Sequence, residues 1–222
     1  MASANNEWTR PKTPAVVIGL IASFFLAYLG FVLAPDDVKN FIYFSFSVIP
    51  ARFDPSSPWA FSAWYEVAGP LLGHVFLHGG WLHLGMNALV LFQAGPLVAR
   101  RMGAERFLLL FFLSAIGGAL AFILINPGAE TPAVGASGAI CGVFAAYFLS
   151  VRPSVRAALR DPMVRRGVFW FLAINVALAA LARQSGVLLI AWEAHLGGFL
   201  AGGVAFVLLA PRLRSGPWSD FA

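Results

Sequence analysis

Ser137 stands in the run Gly135-Ala136-Ser137-Gly138, and His195 stands in Ala194-His195-Leu196-Gly197-Gly198. A serine hydroxyl and an imidazole are the nucleophile and base of covalent hydrolysis, the base taking the hydroxyl proton as the oxygen attacks. Both runs lie in segments apolar enough to cross a bilayer. Polar and ionisable groups are expensive there, so those present are read as functional. The pattern predicts hydrolytic chemistry below a membrane surface.

His83 and Asn87 are spaced i, i+4 and share a helix face. An amide and a ring N–H are donors of the kind that stabilise an oxyanion, and the Ser137 backbone N–H adds a third. His78, His83 and His195 also make a conceivable zinc set. It lacks the His-Glu-x-x-His pattern and any carboxylate at the same depth, so no metal is expected. Glu193 lies two positions from His195 and faces elsewhere on a helix. A serine–histidine dyad is therefore expected rather than a triad. Asn175 is read as a helix–helix hydrogen bond and stands outside this predicted site.

Cys141 follows Ser137 by one helical turn and carries the better intrinsic nucleophile. It lies four residues deeper, about 6 Å further from the opening, and no neighbouring cation in sequence activates it. Ser137 is thus the expected nucleophile. As the sole cysteine, Cys141 also excludes an internal disulfide and a cysteine metal cluster.

Composition says what must position these groups. Of the 222 residues, 59% are hydrophobic and 11% charged, with a mean hydropathy of +0.79. Soluble domains carry about 25% charged residues. One all-α membrane domain is expected over residues 14–210, with short cytoplasmic tails at 1–13 and 211–222. Six spans are predicted, near residues 14–33, 81–99, 105–125, 135–151, 167–181 and 187–210. The first is read as a retained helix, because no small-residue cleavage site follows it. Residues 34–80 mix aromatic clusters with Pro50, Pro55, Pro58 and Pro70, which suits a structured first outward loop at the interface rather than a seventh span.

Basic residues set the orientation. With six spans, Lys39, Arg52 and Arg183 fall on one face, and the other twelve of the 15 Lys and Arg fall on the opposite face. Both termini are predicted to be cytoplasmic. The net charge of +5 is a topology signal here and not a nucleic-acid footprint.

Helical rise then gives each polar group a height above the arginines. Ser137 precedes Arg152 by about 22 Å, His195 precedes Arg212 by about 25 Å, and Asn87 and His83 precede Arg100 by about 20 and 25 Å. All four are predicted to share one layer somewhat below the outer surface. Gly138 and Gly142, like Gly198 and Gly202, form GxxxG faces that let the fourth and sixth spans approach.

Together these residues resemble the rhomboid family of intramembrane serine proteases. The resemblance runs from about His74 to Ala210. It rests on His78 and His83 with Asn87, on the GxSG run at Ser137, and on Ala194-His195 followed by Gly198 and Gly202. It implies a six-helix rhomboid-like bundle with Ser137 as nucleophile, His195 as base, and His83 and Asn87 lining the oxyanion site. It implies transmembrane protein substrates entering laterally from lipid past the fifth span, contact with membrane lipids, no cofactor, no metal and no nucleic acid. A bacterial inner membrane is the expected location. Two positions depart from the family pattern. The first loop has Trp64-Tyr65 where Trp-Arg is common, and Cys141 replaces an aromatic residue that would pack on the histidine, so His195 must be held by other contacts. A catalytically silent relative that binds membrane clients is the alternative, opposed by the retained serine and histidine. A solute transporter would call for symmetry-related repeats, and none is seen.

Overall fold

The computed structural model describes residues 12–185 and 191–211. Five helices in it are long and apolar enough to cross a membrane, together with a shorter apolar one. Both predicted tails lie largely outside the described residues, as does the predicted start of the sixth span at Val187.

Helix α1, Ala15–Leu33, is apolar around its circumference and starts after Pro14. Its Val17 fits against Gly95, where an added Cβ would sit 3.2 Å from the valine methyl. Residues 34–80 fold as a structured loop and not as a span. They form α2, Asp36–Phe46, then 3-10 turns at Pro50–Phe53 and Trp64–Val67, α3 at Ala68–Gly73, and a last 3-10 turn at His74–Phe76. Asp36 and Asp37 open α2, where acidic side chains complement the helix dipole. Its exposed Phe41, Tyr43, Phe44 and Phe46 suit a helix lying at the headgroup level.

Arg52 is the keystone of that loop. It is buried, donates to the Phe44 carbonyl at 2.5 Å, and lies between the Phe44 and Phe61 rings at 4.0 and 4.2 Å. A guanidinium stacked on aromatic faces while hydrogen-bonded is a favourable use of arginine. Trp64, the tryptophan of the departing Trp-Tyr pair, is 87% exposed. The loop therefore packs around an arginine twelve residues earlier.

Helices α4, Trp81–Met102, and α5, Ala104–Ile125, are joined by Gly103 at φ 82°, a left-handed conformation that favours glycine. Helix α6, Ser137–Ser150, has 14 residues. At 1.5 Å per residue it spans about 21 Å, short of a hydrocarbon core of about 30 Å. The irregular backbone before it must therefore enter the membrane, tolerable only where protein lines it. Antiparallel bonds Val48 N–H to Ala133 carbonyl at 3.0 Å and Ala133 N–H to Val48 carbonyl at 2.9 Å tie that segment to the first loop.

The remaining helices are α7, Val155–Arg160; α8, Pro162–Ser185; and α9, Trp192–Leu209. Helix α8 begins five residues before the predicted boundary at 167. Asp161 accepts from the Met163 and Val164 N–H groups, at 2.7 and 3.2 Å, and Pro162 occupies the first helical position, which needs no N–H partner. The sequence pattern placed the apolar start correctly but not this polar first turn.

Lipid tails are as apolar as leucine, so close packing must hold the bundle together. Small residues provide it. A Cβ on Gly198 would collide with the Gly138 carbonyl, and one on Gly202 with the Gly142 backbone. The two predicted GxxxG faces therefore meet, α6 against α9. A second seam brings Gly117 and Gly118 of α5 against Ala194, Gly197 and Ala201 of α9. At the arginine-rich end, Arg101 donates to the Ser150 and Arg152 carbonyls, both at 2.8 Å, locking α4 to the end of α6.

Candidate active site

Helix α6 starts at Ser137 without a side-chain cap, so the first N–H groups of the helix have no intrahelical acceptor. The preceding Gly135 has φ 110°, and an added Cβ would strike the His83 ring, 2.6 Å from Cε1. Glycine is required there on both counts. The Gly135 N–H donates to the His74 carbonyl at 2.8 Å. His74 itself is bonded through Nδ1 to the Pro70 carbonyl at 2.7 Å, and burial pushes its pKa down to about 4, so it is a neutral brace.

Ser137 Oγ lies 2.8 Å from His195 Nε2. The contact joins the start of α6 to α9, and the glycine seam one turn deeper sets the helix separation that permits it. His195 Nδ1 lies 2.7 Å from Asn175 Oδ1 on α8. Asn175 makes a helix–helix hydrogen bond, as expected, and its partner is the candidate base, which brings it to the edge of the predicted site. Glu193, as expected, does not reach His195, so the ring's second nitrogen is held by an amide and not by an acid.

His83 Nδ1 accepts from the Gly79 N–H at 3.3 Å, so the proton of the neutral ring resides on Nε2. That nitrogen faces Gly135, 2.8 Å from where a Cβ would be. Asn87 is 6% exposed, and its Nδ2 has no hydrogen-bond acceptor among the described residues. Both donors converge on the backbone just before Ser137. His78 is buried beside them, its ring 5.3 Å from that of His83 and 5.7 Å from Phe24. It supports the face that His83 presents. No three His, Cys, Asp or Glu side chains come together as a metal site among the described residues. Cys141 is buried one turn below Ser137. A small cavity of about 20 Å³ borders Ser137, Gly118 and Ala194, room for about one water.

The rhomboid domain profile matches residues 63–212. The chain belongs to the rhomboid family. It is 31% identical to RHOMBOID-like protein 5 of Arabidopsis thaliana, over 63% of this chain and 43% of that one. It is 30% identical to rhomboid protease GluP of Bacillus subtilis (strain 168), over 66% of this chain and 26% of the other. It is 28% identical to RHOMBOID-like protein 2 of Arabidopsis thaliana, over 94% and 69% of the two chains. The chain thus spans less than half of the first two relatives. As a rhomboid with several apolar helices, it is an integral multi-pass membrane protein.

Proposed function

We propose that this rhomboid is a serine endopeptidase that hydrolyses peptide bonds in or near transmembrane segments of membrane-anchored proteins. The observation that carries the reading is the 2.8 Å contact between Ser137 Oγ and His195 Nε2. It lies within hydrogen-bond reach for proton transfer in a general-base step. It also favours activity over the silent, client-binding alternative. In the first step the Ser137 proton passes to Nε2 while Oγ attacks the scissile carbonyl carbon. The oxyanion is met by Asn87 Nδ2–H, His83 Nε2–H and the Ser137 N–H. Collapse breaks the C–N bond, and the Nε2 proton leaves with the amine. Water, deprotonated by His195, then attacks the acyl carbon; collapse breaks its bond to Ser137 Oγ, which takes back the Nε2 proton as the acid product leaves. Substrates enter sideways from lipid. No metal or cofactor takes part.

The deciding experiment is fluorophosphonate labelling of the purified protein. Wild type and Cys141→Ala are expected to label at Ser137 and Ser137→Ala to remain unlabelled. Prior thiol alkylation should change nothing, since Cys141 is buried. A folded Cys141→Ala protein that neither labels nor cleaves would move the nucleophile to the thiol.

The proposed setting is a bacterial inner membrane with both termini cytoplasmic and residues 34–80 facing outward, motivated by the asymmetry of basic residues. Single cysteines introduced at exposed Trp59 and Arg156 should react with impermeant thiol reagents from outside and inside, respectively. The reverse pattern would invert the topology and place the site near the cytoplasmic surface.

A further inference from the structure

Helix α8 is the least embedded of the long helices, and it meets the bundle along one narrow stripe. Gly167, Phe171 and Asn175 recur every four residues and so lie on one face. A Cβ on Gly167 would press on the Phe148 ring of α6, 2.7 Å from Cε1. Phe171 is stacked between Phe144 of α6 and Phe199 of α9, with both centroid distances 5.2 Å. Asn175 is the next residue of the stripe and reaches His195. Much of the rest of the described helix surface is exposed, including Phe169, Trp170, Ile174 and Val176, whereas Val164 near the anchored end is buried. At the arginine-rich end α8 is anchored, because Asp161 caps it and pairs with Arg152 at 2.5 Å.

The Asn175 amide is oriented by its own helix. Nδ2 donates to the Phe171 carbonyl at 2.8 Å, which leaves Oδ1 as the acceptor aimed at the imidazole. An acceptor at 2.7 Å places the neutral ring's proton on Nδ1 and the lone pair on Nε2. That lone pair is what must take the Ser137 proton. The geometry points to Asn175 as a positioning residue that holds His195 in its base-competent tautomer and orientation only while α8 is seated against α6 and α9. The bond also spans α8 and α9, so tilting α8 outward on its anchored end would break it. A substrate that enters past α8 would meet an aligned base only after the helix returns. Water therefore meets a weaker nucleophile during entry.

This inference rests on the reading of Ser137 and His195 as nucleophile and base, and the test separates the two. Asn175→Leu keeps the volume and lacks the acceptor, whereas Asn175→Asp keeps the acceptor. In proteoliposomes containing a transmembrane substrate, Asn175→Leu is expected to lose about 10- to 10²-fold in kcat, with KM within about twofold. Fluorophosphonate labelling should slow in parallel, and Asn175→Asp should recover most of the loss. Independently of activity, the wild-type protein should show a downfield imidazole proton resonance from His195 Nδ1–H that is absent from Asn175→Leu. Labelling of Asn175→Leu at the wild-type rate, a loss confined to KM, or no such resonance in wild type would overturn the positioning role while leaving the serine-protease reading intact. Wild type that fails to label at Ser137 would sink that reading, and with it the catalytic meaning of the Asn175 bond.

Discussion

Ser137→Ala and His195→Ala are each expected to abolish cleavage of a transmembrane substrate, a fall of about 10⁴-fold or more. Both should leave the bundle folded. The two side chains are joined to each other at 2.8 Å, and neither lies on the glycine seams that hold α6 against α9. Ser137→Ala loses their one mutual bond, at a cost of about 1 kcal/mol, and His195→Ala loses the Asn175 bond as well, at about twice that, so both changes in unfolding temperature should be modest. The double variant is expected to be no less active than either single one, because a nucleophile without its base, or the reverse, performs no proton transfer. Cleavage rates in proteoliposomes and thermal unfolding in the same detergent would check both halves. Substantial turnover by purified Ser137→Ala would end the serine-protease proposal. A double variant much worse than either single would indicate that the two residues act separately.

Much of this geometry was legible in the sequence because it depends on height, and height follows from counting residues. Helical rise placed Ser137, His195, His83 and Asn87 in one layer, and the structure brings Ser137 to His195 and His83 with Asn87 to Gly135. The GxxxG faces were legible for a related reason: glycines one turn apart leave a flat strip whichever partner fills it. What counting does not give is the rotation of a helix about its axis or the identity of its neighbour. Asn175 was missed on that account. It sits twenty positions from His195, and its meaning depends on which way the Gly167, Phe171 and Asn175 stripe faces. A polar residue on the same stripe as a glycine and an aromatic was the available signal. The pairing of Gly117 and Gly118 is hidden for the same reason, since their partner on α9 appears only in the packed bundle. In the sequence, Arg52 registers only as a charge on the outer side. Its role between Phe44 and Phe61 needed the fold of a proline-broken loop, which has no periodicity to follow.

The second large effect is expected at Asn87. Its Nδ2 is buried without an acceptor among the described residues. An unsatisfied buried donor costs about 1–3 kcal/mol, so a protein that keeps one in place gives up stability. Facing the Gly135–Ser137 backbone beside His83 Nε2, it is oriented before any oxyanion forms and needs no rearrangement when negative charge appears. A folding role and a catalytic role therefore predict opposite behaviour. If Asn87 served mainly to bond neighbouring helices, Asn87→Ala would destabilise the bundle and lower activity only through loss of folded protein. If it is an oxyanion donor, kcat should fall by about 10²–10³-fold. The unfolding temperature should hold or rise, because an unmet polar group has been removed. Residual activity should remain, since His83 Nε2–H and the Ser137 N–H still face the same point. Fluorophosphonate labelling, whose adduct carries an oxygen in that position, should slow with kcat. Unchanged kcat at saturating substrate would remove Asn87 from the oxyanion site, and a marked drop in unfolding temperature would assign it to helix packing instead.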